Sequence, residues 1–181
     1  PYLEAYRELI LPATEVLVGN HQTLTDLLLP DWDNERPASP RELAVAASER
    51  GTRYVLVTGI MLPLKGTEQF IDNVLASPQG ALTGEKFERF EASFVGAGDT
   101  LSAALVSLLA AGGELQSAVG EALAFLDQSL DAGFRPGMGN IVPDRFFWAM
   151  PPADEDGATE EEPGAPEPED PKGKSSPRRV H

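Results

Sequence analysis

The sequence contains no cysteine, which excludes disulfides, thiolate metal sites and a cysteine nucleophile together. Its two histidines, His21 and His181, are too few for a His-rich zinc site. Basic residues are scarce: 14 Lys and Arg stand against 29 Asp and Glu, a net charge of −15. Nucleic acid and anionic membranes both demand a basic surface, so neither is an expected partner. No apolar run approaches the ~20 residues of a membrane span, and no signal peptide is visible. A cytosolic protein is the expectation. An acidic chain can still hold a phosphate locally, because backbone N–H groups make an anion site without lysine or arginine.

What is present falls into two parts. The 181 residues, 41% hydrophobic and 24% charged, suit one globular domain with additional non-core sequence. From Pro152 onward, PADEDGATEEEPGAPEPEDPKGKSSPRRVH holds no large apolar residue until Val180, and its acids outnumber its bases. Such a segment buries too little surface to offset its ordering entropy. The expected division is a domain over 1–151 and an acidic, Pro-rich disordered tail over 152–181. The chain opens on Pro1 and runs straight into YLEAYRELILPA, which reads as the middle of a longer protein.

The body alternates helix and strand signals. Over 2–10, Leu3, Tyr6, Leu9 and Ile10 share one helical face. TEVLVGN (14–20) reads as a short buried strand ending in a Gly-Asn turn, and TLTDLLL (23–29) as a short helix stopped by Pro30. Ser39-Pro40-Arg41-Glu42 is a capping box with Pro at the first helical position, which predicts a helix over about 40–50, closed by Gly51. RYVLVTG (53–59) is the clearest strand, apolar enough for the interior of a parallel sheet. QFIDNVLA (69–76) and EKFERFEA (85–92) read as more polar strands nearer an edge. Helices are expected over 99–111 and about 114–131, then a Gly/Pro-punctuated loop and an aromatic anchor. The alternation predicts an α/β fold with a largely parallel central sheet.

The stretch FVGAGDT (94–100) carries the chemistry. Gly96 and Gly98 can take positive φ and, without a Cβ, let a ligand approach the backbone. The N–H groups of residues 96–99 can then point outward at the positive end of a helix dipole, which suits an anion. Asp99 beside that anion would repel it in simple phosphate binding. The carboxylate becomes useful when it takes a proton from an attacking hydroxyl while the N–H groups hold a phosphoryl group in flight. Alternatively, Asp99 only caps the helix, a role that aspartate after glycine often serves. The few residues of the turn alone leave both readings open.

Gly-Ala-Gly-Asp-Thr followed by LSAALVSLLA resembles the G-[TA]-G-D anion-hole motif of the ribokinase-like vitamin kinases, the branch that includes hydroxymethylpyrimidine (phosphate) kinases and pyridoxal kinases. LPATEVLVGN is similar to that family's strand leading into its N-x-x-E motif, and VLVTG to the strand beside its nucleotide. The three segments span most of 1–150 and look like the C-terminal part of a three-layer ribokinase-like fold whose N-terminal portion is missing. The resemblance implies a kinase using ATP and Mg2+ on the hydroxymethyl group of a heteroaromatic small-molecule substrate. In that scheme Asp99 is the base, and Gly96, Ala97 and Gly98 supply the backbone hole. Thr58 and Gly59 would line the nucleotide, and Asn20 would place magnesium and its waters. Asn20 and Gly59 read equally well as turn residues after strands. The resemblance further implies a homodimer, and a substrate pocket built largely from the N-terminal half.

Two features complicate that scheme. Thr23 stands where N-x-x-E carries glutamate, and threonine cannot supply the carboxylate that organises magnesium's waters. Asp26, about one helical turn on, is the candidate substitute, while His21 reads as a loop residue. This departure keeps open a different class of function, a ribokinase-like protein that binds nucleotide or vitamin without turnover. Within the kinases, aspartate at 99 matches pyridoxal kinases, many pyrimidine kinases carrying cysteine there. DAGFRPGMGNIVPDRFFWA is similar instead to the hydroxymethylpyrimidine group, the preferred reading, with pyridoxal kinase as the alternative.

Overall fold

Val55, Leu56 and Val57 are consecutive and all fully buried, so the strand that carries them must be covered on both faces. In the computed structural model this strand, β2 (Tyr54–Met61), lies inside a four-stranded sheet of order β1-β2-β3-β4. Its companions are β1 (Val16–Asn20), β3 (Phe70–Ser77) and β4 (Gly80–Glu88). The structure describes residues 2–33, 35–61, 70–90 and 92–149, all within the unit Pro1–Met150. The tail expected over 152–181 lies outside the described residues.

β1 and β2 run parallel, from Val16 opposite Tyr54 to Asn20 opposite Thr58. β2 pairs with β3, and β3 with β4, in antiparallel fashion. Among the described residues the sheet is therefore mixed, which corrects the expectation of a largely parallel one. The connections explain it. Residues 78–79 join β3 to β4 in a tight hairpin that permits only antiparallel pairing, whereas the long stretch between β1 and β2 gives room for a crossover. The hairpin also explains why β4 starts five residues before the expected 85: Gly80 pairs directly with Ser77.

The α/β class and its three layers hold. α2 (His21–Leu28) and α3 (Pro40–Ser48) fill the crossover and cover one face, where Leu24, Leu28, Leu43 and Ala47 meet Leu17, Val55 and Val57. α4 (Ala97–Ala110) and α5 (Leu115–Asp131) cover the other, where Leu101, Leu105, Val119 and Leu123 meet Leu56 and Leu75. The capping box forms as expected: Ser39 Oγ accepts from the Glu42 N–H, and the Glu42 carboxylate accepts from the Ser39 N–H at 2.8 Å. The opening segment is helical too, as α1 (Tyr2–Ala5) passing into a π turn over Tyr6–Ile10. Leu3, Leu9 and Ile10 nevertheless stay exposed, so that apolar face finds little cover among the described residues. None of the described helices is long and apolar enough to cross a membrane.

Candidate active site

Small residues dictate how α4 begins. Gly96 adopts φ 87°, a left-handed conformation costly for any residue with a Cβ, and it caps the helix without a side chain. The first intrahelical bond runs from the Thr100 N–H to the Gly96 carbonyl at 2.9 Å. The N–H groups of Ala97, Gly98 and Asp99 thus precede the first available acceptor and keep no backbone partner. Asp99 is the third residue of the helix, so the reading of this side chain as the cap is not realised. Gly98 and Asp99 are both exposed, and a Cβ built on Gly98 would meet nothing within 4 Å. Donors, helix dipole and an exposed carboxylate therefore all belong to the first turn of α4.

The turn is pinned from the C-terminal side. Val95 N–H donates to the Ile141 carbonyl at 3.0 Å, and Ile141 N–H to the Ser93 carbonyl at 3.1 Å. Thr100 Oγ1 donates to the Gly96 carbonyl at 2.8 Å, and Arg145 Nε donates to that same hydroxyl oxygen at 2.9 Å. Sequence reading missed Arg145. Its only signal was an arginine in a base-poor chain, within a loop that looked like mere punctuation. The aromatic anchor is partial: Phe147 packs on Phe125 at 5.5 Å between ring centroids, while Phe146 and Trp148 stay exposed.

Asn20, Thr58 and Gly59 come together at the ends of β1 and β2. Asn20 and Thr58 are register partners, and Asn20 and Gly59 line a cavity of about 450 Å³ with His21 and Arg36. Their own hydrogen bonds are mostly internal. Asn20 Oδ1 accepts from the Thr23 N–H at 2.8 Å and so caps α2, while Thr58 Oγ1 donates to the Gly19 carbonyl at 3.3 Å. Gly59, at φ 69°, donates its N–H to Asn73 Oδ1 at 3.1 Å, where the β2–β3 register slips. Asn73 is buried and escaped sequence reading, because a polar residue in an edge-like strand carries no mark. The His21 ring bonds the Ala38 carbonyl through Nε2 at 2.7 Å, and His21 opens α2 rather than lying in a loop as expected. The turn at 96–99 is not among the residues lining this cavity. It adjoins another of about 500 Å³, which Thr100, Ala104, Phe125 and Arg145 line.

Backbone donors and a neighbouring guanidinium suit a phosphate-bearing ligand. Magnesium is a different matter. Among the described residues no three His, Asp or Glu gather to hold a metal. Asn20 has committed its oxygen to a cap, and exposed Asp26 accepts from Gln22 Nε2 at 2.9 Å. The described residues do not form a magnesium cage of their own.

The family model described as phosphomethylpyrimidine kinase matches residues 1–144. The chain belongs to the phosphomethylpyrimidine kinase family. Among solved structures, the ADP complex of Bacillus subtilis pyridoxal kinase is 22% identical, with a TM-score of 0.69 over 83% of this chain and 55% of that one. Staphylococcus aureus pyridoxal kinase, in complex with AMP-PCP and pyridoxal, is 21% identical with a TM-score of 0.68, over 81% of this chain and 53% of that one. Entamoeba histolytica pyridoxal kinase is 24% identical with a TM-score of 0.58, over 80% and 48% of the respective chains. These likenesses show that the family member has the ribokinase-like fold of those kinases. The chain spans about half the length of each. A comparison with curated proteins gives no significant match.

Proposed function

We propose that the protein of which this chain forms part transfers the γ-phosphoryl group of ATP to the hydroxymethyl group of a heteroaromatic vitamin precursor, a hydroxymethylpyrimidine or its phosphate in thiamine biosynthesis. The Asp99 carboxylate accepts the hydroxyl proton as that oxygen attacks the γ-phosphorus. The bond from the γ-phosphorus to the β–γ bridging oxygen breaks, and ADP leaves with the electron pair. The N–H groups of Ala97, Gly98 and Asp99 hold the phosphoryl oxygens, so positioning and charge stabilisation supply most of the rate. Magnesium would enter this scheme only as a companion of the nucleotide phosphates. One observation carries the reading: Asp99 stands exposed in the first turn of a helix whose leading N–H groups have no backbone acceptor. Family membership is its independent support.

Pyridoxal as the acceptor is the second reading, favoured by the pyridoxal kinases among the structural relatives. Binding without turnover is the third, favoured by Thr23 and by the commitment of Asn20 Oδ1 to the α2 cap. ADP release by the intact protein, measured with each alcohol and repeated with Asp99→Asn, separates the three. The substitution should lower kcat by about 100-fold or more if Asp99 is the general base. Retention of kcat within about threefold removes Asp99 from that role. ATP binding with no turnover of either alcohol favours the third reading.

A further inference from the structure

We propose that Arg145 is a catalytic residue of this same site, contacting the phosphoryl group during its transfer; the assignment rests on the kinase reading above. The guanidinium is held at one end only. Its Nε donates to Thr100 Oγ1 at 2.9 Å, and that hydroxyl is itself fixed by donating to the Gly96 carbonyl at 2.8 Å. This tether aims the planar group at the turn and leaves the Nη1 and Nη2 hydrogens uncommitted. Nη2 lies 3.0 Å from where a Cβ on Gly96 would stand, so the glycine gives the guanidinium its place.

Electrostatics argues in the same direction. The chain carries a net charge of −15, yet neither ion pair among the described residues involves Arg145. Glu121 lines the same cavity without pairing with it. An arginine serving only structure in so acidic a protein would ordinarily find a carboxylate. Here it is exposed, permanently charged and one hydroxyl away from a turn with three free N–H groups. A guanidinium fork matches phosphoryl oxygens two at a time, and its charge offsets the repulsion that Asp99 imposes on an incoming phosphate. This resolves the objection to a carboxylate beside an anion hole, because the cation comes from a distant part of the chain.

The test uses the intact protein, assayed for ADP release with saturating ATP and the acceptor that the wild type turns over. Arg145→Gln should lower kcat on the order of 100-fold, the loss typical of removing one donor to transition-state charge, with the acceptor KM changing less than about threefold. Arg145→Lys, which keeps charge but loses the fork, should recover about a tenth of the wild-type kcat. A second readout excludes a merely structural role. ADP with aluminium fluoride, a mimic of the phosphoryl group in flight, should bind Arg145→Gln at least about tenfold more weakly, while ADP alone binds unchanged. The proposal is overturned if kcat stays within about threefold of wild type, or if the mimic binds both proteins equally. If the wild type turns over neither alcohol, the kinase reading fails on its own. Binding of ATP then decides Arg145: weaker binding by Arg145→Gln supports a phosphate contact, and unchanged binding removes it.

Discussion

At the ends of β1 and β2, three polar groups are committed to the protein itself: Asn20 caps α2, Thr58 bonds the Gly19 carbonyl, and Gly59 gives its N–H to Asn73. At the start of α4 the reverse holds. The N–H groups of Ala97, Gly98 and Asp99 meet no backbone acceptor, and Asp99 stands exposed. Both regions are glycine-bearing bends beside apolar segments, so local sequence treats them alike. They differ in what each bend leaves over. A satisfied bend keeps its geometry with or without a guest, whereas an unsatisfied one holds donors in reserve. Substitutions should therefore damage stability first in one region and chemistry first in the other.

The sharpest test of the satisfied region is Asn73→Ala. Asn73 is 2% exposed, accepts from Gly59 and donates from Nδ2 to the Glu85 carbonyl at 3.4 Å. Removing it strands the Gly59 N–H at the register slip and should cost about 2 kcal/mol in urea unfolding. Asn73→Asp keeps the acceptor and should recover part of that loss. A loss below about 0.5 kcal/mol with Ala would mean that the bend holds itself.

The two glycines of the open region should part company. Gly96→Ala forces a Cβ into a left-handed conformation and toward Arg145, costing about 1 kcal/mol. Gly98 is helical and faces open space, so Gly98→Ala should leave stability unchanged or raise it by up to about 1 kcal/mol. Turnover should still fall with Gly98→Ala, because the new methyl would stand where the proposed mechanism brings the phosphoryl group. A more stable and equally active Gly98→Ala protein would place the ligand elsewhere and collapse the contrast.

Much of this was legible in the sequence, for reasons that can be named. The helix at Pro40–Ser48 was written in a four-residue capping box, a local signal that tertiary structure had no cause to override. β2 was legible because burial on both faces demands a continuous apolar run, whatever the neighbours. The direction of those neighbours was not, since an apolar strand looks the same in parallel and antiparallel company. Only the short link at 78–79 decides it, and Pro-Gln lacks the Asn-Gly signature of a two-residue turn. At the site, the turn at 96–99 announced itself because glycine and aspartate are the residues such a turn requires. Asn73 and Arg145 did not, because each acts through a partner 14 and 45 residues away along the chain, and no periodicity records such a pairing.

The smallest expected effect concerns the rim of the satisfied cavity and its response to acid. Arg36 lines that cavity and holds Glu42 through both carboxylate oxygens, at 2.6 and 2.9 Å. That pairing, then the Ser39 N–H, lowers the Glu42 pKa to about 2. The unfolded carboxyl binds its proton near 4.5, so the stabilisation is complete above that pH and fades as pH falls from there towards 2. Arg36 and Glu42 side chains remain 58% and 35% exposed, so water screens the pair. Glu42→Gln should therefore cost less than about 1 kcal/mol at neutral pH. Melting curves of wild type and variant should converge on acidification, because the wild type alone loses the interaction. A gap that stays constant down to pH 2 would assign the loss to the capping hydrogen bond rather than to charge, leaving this end of the sheet held by neutral contacts alone.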